Sequence, residues 1–247
     1  MKKFPILILI PHSSVFVPNQ IKQKMLISDF DIKNHSDIAT EEIFNIKNAQ
    51  IIKSKISRLV VDVNRAPDDL EMECRLCVDG AVVRTTPDGK KIYKSPPSIN
   101  EINKRIETYH YNFHNKVENI IKKENIKFII DGHSMWSIRP SELKGPSSKR
   151  PDICIGNRDF TSCTRQQTYF IKNFLESLNY SIVINIPYKG KYDLGYHCHR
   201  RNLPGIQIEI NRKLYLNEKT LTVNKKIIKK LNKEMEELTE KIYNKFL

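Results

Sequence analysis

Apolar positions along this chain follow two rhythms. Short, nearly unbroken runs appear at FPILILI (4–10), AQIIKSKIS (49–57), RLVVDVN (58–64), KFIIDGH (127–133), DICIGN (152–157), SIVINIP (181–187) and GIQIEIN (205–211). Their length and β-branched content predict strands, and continuous rather than alternating runs predict burial on both faces. Between them, apolar residues recur at three-to-four spacing. In residues 98–124, Ile102, Ile106, Tyr109, Phe113, Val117 and Ile121 mark one helical face, with Ser98 and Glu101 spaced as a capping box. A second helix is predicted around RQQTYFIKNFLESLN (165–179). A third covers 222–246, with Ile227, Leu231, Met235, Leu238 and Ile242 on one side.

Strands alternating with helices predict the α/β class: one domain over residues 1–247, with a central mixed, mostly parallel sheet flanked by helices. The stretch from Glu71 to Pro97 reads differently, rich in charge, Gly and Pro, with a hairpin expected around TPDGKKIY. SIRPSELKGPSSKRP (137–151) reads as a long polar loop. No stretch reaches the roughly 20 apolar residues of a membrane span. The opening MKKFPILILIPHSS reads as a first strand rather than a leader, because its apolar run is short and ends in PHSS. A cytoplasmic protein with no membrane association is expected.

Five cysteines at irregular spacing (Cys74, Cys77, Cys154, Cys163, Cys198) fit a reducing compartment. The lone CxxC has no second pair to complete a zinc knuckle. The net charge of +14 is mostly scattered lysine, without interleaved aromatics or a Gly-rich signature, so no nucleic-acid partner is expected. A basic surface also suits a small anionic substrate.

The chemistry concentrates at strand ends. FPILILI delivers His12 and KFIIDGH delivers His133, each followed by serine. In open α/β sheets ligands sit beyond the carboxyl ends of strands, where Asn64, Arg65, Asn157 and Glu209 also fall. Hydrolytic zinc needs about three protein ligands and one open position. Asp131 is placed either to orient His133 or to occupy a polar pocket of its own. Asn64-Arg65 offers an amide beside a forked guanidinium, suited to a carboxylate, or else Arg65 pairs with Asp62 across a turn. Glu209 interrupts an apolar strand; burial there makes it a proton shuttle, unless Arg212 or a lysine neutralises it. His197 and His199 flank Cys198, but no shared ion is expected there. His110 and His114 lie four apart on a predicted helix, read as packing residues, with His114 nearer the site.

PHSS, VDVNRAP, RIETYHYNFH, IIDGHSM, ICIGN and NIPYKGKYDLGYHCHRRNLPGIQIEINRKLY resemble, in that order, the N-formylglutamate amidohydrolase (deformylase) family, over about residues 5 to 218. That family is related in fold to zinc carboxypeptidases and aspartoacylase-like deacylases, a phosphorylase/hydrolase-like architecture. The resemblance implies one Zn²⁺ per chain on His12, Asp37 and His133, with Asp37 standing in for the carboxypeptidases' glutamate, whose place is Val15 here. It implies Glu209 as general base and acid, Asn64 and Arg65 on the α-carboxylate, and Arg212 or Arg201 on a side-chain carboxylate. The expected reaction removes an N-formyl or other N-acyl group from an acidic or related amino acid, the small-molecule partner. A zinc carboxypeptidase-type hydrolase and a non-catalytic carboxylate-binding member are the alternatives. YHCHRRN departs from the family's simpler loop where selectivity would be set.

Overall fold

The computed structural model describes residues 3–69, 80–139 and 150–247. Six strands form one sheet: β1 (Ile6–Ile10), β2 (Gln50–Lys53), β3 (Phe128–Met135), β4 (Ile153–Gly156), β5 (Ile182–Ile184) and β6 (Gly205–Asn211), in the order β2-β1-β3-β6-β4-β5. The first four in that order run parallel, as do β4 and β5 with each other. The β4–β6 pair is antiparallel. The mostly parallel mixed sheet matches the predicted class.

Alternation decides what each face carries. Ile6, Ile8 and Ile10 of β1 and Ile206, Ile208 and Ile210 of β6 enter one core, against α6 (Arg165–Ser177) and α7 (Lys225–Phe246). Leu7, Leu9 and Ile129 face the other way, onto Phe113, Val117 and Ile121 of α5 (Asn112–Lys123). On that second face the strand ends change character: Asp131 and His133 of β3, and Gln207 and Glu209 of β6, follow the apolar layer and stay buried. The runs that look continuously apolar therefore place a polar row between two layers.

The shorter helices are α1 (Asn19–Lys22), α2 (Asp29–Asn34), α3 (Thr40–Ile43) and α4 (Ile99–Arg105), the last running through a π-helical turn (Ile106–Tyr111) into α5. A second π-helical turn spans Leu194–Cys198. Ser98 caps α4 by accepting from the Glu101 amide, but Glu101 does not reach back. Its carboxylate binds Arg105 and Lys24 instead, so the expected reciprocal box is half made.

RLVVDVN is not a strand. Val60, Val61 and Val63 are buried, the first two in a separate apolar cluster with Ile92 and Tyr93. The backbone turns at 57–60 because Arg58 and Asp62 pair with each other across it. Around TPDGKKIY the chain folds back antiparallel as expected, through one bridge, Thr85 to Lys91, with Thr86 N–H donating to Lys90 O and Ile92 N–H to Arg84 O. Cys154, Cys163 and Cys198 are buried free thiols, whereas Cys74 and Cys77 lie outside the described residues. Among the described residues no helix is long and apolar enough to cross a membrane.

Candidate metal and catalytic site

The parallel arrangement of β1, β3 and β6 sends their carboxyl ends to one edge. His12 follows β1, His133 lies near the end of β3, and the two rings stand 4.8 Å apart. Asp37 joins them from the loop after α2. Its backbone N–H donates to the His12 carbonyl at 2.9 Å, which ties the two segments together. Two residues on, Ala39 takes a left-handed conformation (φ 64°), unfavourable for a residue with a Cβ, where the chain turns into α3.

Both imidazoles present Nδ1 to the same carboxylate oxygen. His133 Nδ1 lies 3.1 Å from Asp37 Oδ2, and His12 Nδ1 lies 3.7 Å from it with no hydrogen-bond partner among the described residues. The outer nitrogens are backed by acids. His12 Nε2 is 2.7 Å from Asp62 Oδ1, and His133 Nε2 is 2.9 Å from Asp131 Oδ1. Two imidazoles, each with a carboxylate behind it, converge with a third carboxylate into a set of donors that could hold a divalent metal ion. All five side chains are buried. The orphaned Nδ1 of His12 is the observation that fits an ion best.

Charge in this hollow follows from its acids. Burial opposes charge on His133, but Asp131, Asp37 and Glu209 outweigh it and hold the imidazole well above its ordinary pKa. Burial would likewise raise Asp37, yet the neighbouring His12 and His133 keep it well below the carboxylate range. Without a metal, the site draws in a proton.

Glu209 pairs in register with His133 across the parallel β3–β6 ladder, so both side chains leave the same face. Its Oε1 accepts from Gln207 Nε2 at 2.8 Å, and among the described residues it has no ion-pair partner. Burial, with a smaller push from Asp37 and Asp131, lifts its pKa from 4.5 to about 8, despite the opposing charge of His133.

A profile of the N-formylglutamate amidohydrolase family matches residues 4–216. This chain belongs to that family. It is 22% identical over 231 residues to an N-formylglutamate deformylase of Pseudomonas putida, covering 87% of this chain and 83% of the relative. A crystal structure of N-formylglutamate amidohydrolase from Ralstonia eutropha superposes with a TM-score of 0.85 at 21% identity, over 99% of this chain and 94% of that one. A gene product from Agrobacterium tumefaciens gives 0.70 at 18% identity, over 98% and 92%.

Beside this donor set opens a cavity of about 310 Å³. Asp37 is the one carboxylate among its described lining residues, facing Arg58, Arg65, Arg139, Arg150, Lys191 and Arg212. The predicted site residues divide accordingly. His12, Asp37, His133 and Glu209 come together; Arg65 and Arg212 line the cavity. Arg212 is nevertheless engaged: its guanidinium donates to the carbonyls of Asn34 (2.7 Å) and Ser36 (2.5 Å) and lies 3.5 Å from Asp37. Asn64 is buried away from the cavity lining, its amide donating to Asp131 Oδ2 at 3.3 Å and lying 3.0 Å from His133 Nε2. Arg201 lines a different hollow with Lys127 and Asn202 and pairs with Glu118.

Asn157 also falls elsewhere, bonded to Thr168 and Asn185. Because β4 runs antiparallel to β6, its carboxyl end lies at the far edge, and its start brings Arg150 to the cavity instead. Sequence reasoning missed Arg150 and Arg58, which sit in loops without a motif, and Tyr188, which lies in a quoted stretch where nothing marked it as a lining residue. Asp62 carried a legible signal, a carboxylate inside an apolar run. Its structural partners are His12 and Arg58 rather than Arg65.

Proposed function

We propose that this chain hydrolyses the N-acyl bond, with formyl as the preferred acyl group, of an amino acid bearing a second carboxylate. The convergence of His12 Nδ1, His133 Nδ1 and Asp37 beside Glu209, at the edge of a cation-lined cavity, supports this reading above any other observation. His12, Asp37 and His133 would hold one Zn²⁺. When bound, such an ion supplies Lewis acidity that polarises the acyl carbonyl and acidifies an attacking water.

The chain's own groups do the rest. Asp62 and Asp131 fix the ring orientations of His12 and His133 and increase their basicity as ligands. Arg212, held by two backbone carbonyls, steadies Asp37. Glu209 takes a proton from the water and returns it to the leaving amide nitrogen. Burial raises this carboxyl above its ordinary range, which suits a group that must both accept a proton and return it. Gln207 holds one of its oxygens in place. Arg65, Arg139, Arg150 and Lys191 set a positive potential along the cavity, suited to a substrate with two carboxylates. The cavity volume matches a small metabolite and leaves little room for a peptide chain.

A panel of N-formyl, N-acetyl and peptidyl amino acids tests the reading, with N-formylglutamate, N-formylalanine and a C-terminal dipeptide as its corners. Formate release that is fastest with the dicarboxylic formyl substrate is expected. Faster cleavage of the dipeptide would favour a carboxypeptidase, and no turnover with stoichiometric metal absent would favour a binding protein.

A further inference from the structure

On the α5 side of the sheet lies a second group of buried donors that the proposed reaction does not use. His114 of α5, Asp193 and His197 bring three ligand atoms within 4.8 Å of one another. The hydrogen-bond accounting at this group does not close. His114 Nε2 lies 2.8 Å from the Val63 carbonyl, which only accepts, so Nε2 carries the proton and Nδ1 presents a lone pair. His197 Nδ1 lies 2.8 Å from the Glu118 carboxylate and donates to it, so its Nε2 also presents a lone pair. Those two lone pairs face each other at 2.9 Å. Asp193 is fully buried, and neither of its carboxylate oxygens has a hydrogen-bond partner among the described residues. One of them lies 3.9 Å from His114 Nδ1.

A proton shared between the two nitrogens would satisfy the rings and leave both Asp193 oxygens unpaired. A cation bound by all three satisfies every group at once. Imidazole nitrogens about 2.0–2.1 Å from a transition metal, and 2.9 Å from each other, subtend roughly a right angle at the ion, an ordinary angle between neighbouring ligands. We propose that His114, Asp193 and His197 form a second, buried site for a divalent transition-metal ion of the zinc class, separate from the one on His12, Asp37 and His133.

Two π-helical turns build this place. Asp193 immediately precedes the turn at Leu194–Cys198 and His197 lies within it, and His114 follows the turn at Ile106–Tyr111. Such widened turns are rare and recur at functional sites. The stacked rings of Tyr192 and Tyr196 wall the group, 5.0 and 5.7 Å from His114. The site is also wired to the first. The Asp193 backbone N–H donates to Asn64 Oδ1 at 2.9 Å, and the Asn64 amide contacts His133 Nε2 at 3.0 Å. His110 and His114 grip the carbonyls of Arg65 and Val63 on either side of that asparagine. The second ion is a structural one that holds the segment 63–65 against His133.

The test counts metal. The His12→Ala/Asp37→Ala variant, loaded with Zn²⁺, desalted and measured by mass spectrometry of the elements, dismantles the first site and leaves the second intact. It should retain about one ion per chain and melt several degrees higher with that ion than after chelation. Adding His197→Ala, or Asp193→Asn if that variant fails to fold, should abolish the retained ion. A folded His12→Ala/Asp37→Ala chain that holds no zinc overturns the proposal, as does an ion that survives both second-site substitutions. Failure of the proposed function reads differently: a wild-type chain with one ion that persists when His12 and Asp37 are removed leaves this site standing and empties the other. With Co²⁺ in place of Zn²⁺, two strongly shifted ring N–H protons, from His114 and His197, are expected in the same variant; none would overturn the assignment.

Discussion

Glu209→Gln separates catalysis from stability. The replacement keeps volume and still accepts the Gln207 hydrogen bond, but it takes no proton. General acid–base groups contribute about 10²–10⁴-fold, so turnover should fall by that factor, a barrier increase of roughly 3–5 kcal/mol. Stability of the metal-free chain should move the other way. The folded pKa of Glu209, about 8, stands above the unfolded 4.5. Between those values the unfolded chain releases its proton while the folded chain retains it, so stability drains away as pH rises from about 4.5 to about 8. At about 1.36 kcal/mol per pH unit the ceiling is roughly 5 kcal/mol, all of it absent in a side chain that does not titrate. Urea unfolding of both proteins with chelator present, at pH 5 and pH 8, reads this directly. The variant's advantage should grow by several kcal/mol between the two. Equal differences at both values would refute the burial argument, and near-wild-type turnover would refute the assignment of the base.

Three further outcomes follow from the contacts. Asp62→Asn removes the charge behind His12 Nε2 and should weaken metal binding 10–100-fold in competition with a chelator, with the fold retained; unchanged affinity would sever Asp62 from the metal. Arg65→Ala and Arg150→Ala should each raise KM for a dicarboxylic substrate about 10–100-fold, the cost of one charged contact, while changing KM for N-formylalanine less; equal effects on both would point to a structural role. Gly132→Ala places a Cβ 2.7 Å from ring carbons of Phe44, behind the strand between Asp131 and His133. It should cost about 1–3 kcal/mol in denaturant unfolding, with part restored by Phe44→Leu; no loss would show the strand free to shift.

The sheet was legible wherever an apolar run had flanking neighbours to pair with, as β1, β3 and β6 do. RLVVDVN misled because burial alone does not distinguish a strand from an apolar turn; the deciding feature, Arg58 closing on Asp62 four residues later, has no periodicity. His12, His133 and Glu209 could be found because parallel strands bring their carboxyl ends to one edge. The same rule misplaced Asn157, since nothing in DICIGN reveals that β4 runs backwards. The loops that supply Arg58, Arg150 and Tyr188 meet only after folding. His197 was not expected to share an ion with His199, and spacing along the chain gave no sign of any other partner. The π-helical turn sends it to His114.

Anomalous diffraction from crystals grown with Zn²⁺ tests the central claim most directly. A peak is expected about 2.0–2.2 Å from Nδ1 of His12, Nδ1 of His133 and the Asp37 carboxylate, on the side facing Glu209. An active, zinc-soaked crystal with no density there, or with metal on the Nε2 side against Asp62 and Asp131, would contradict it.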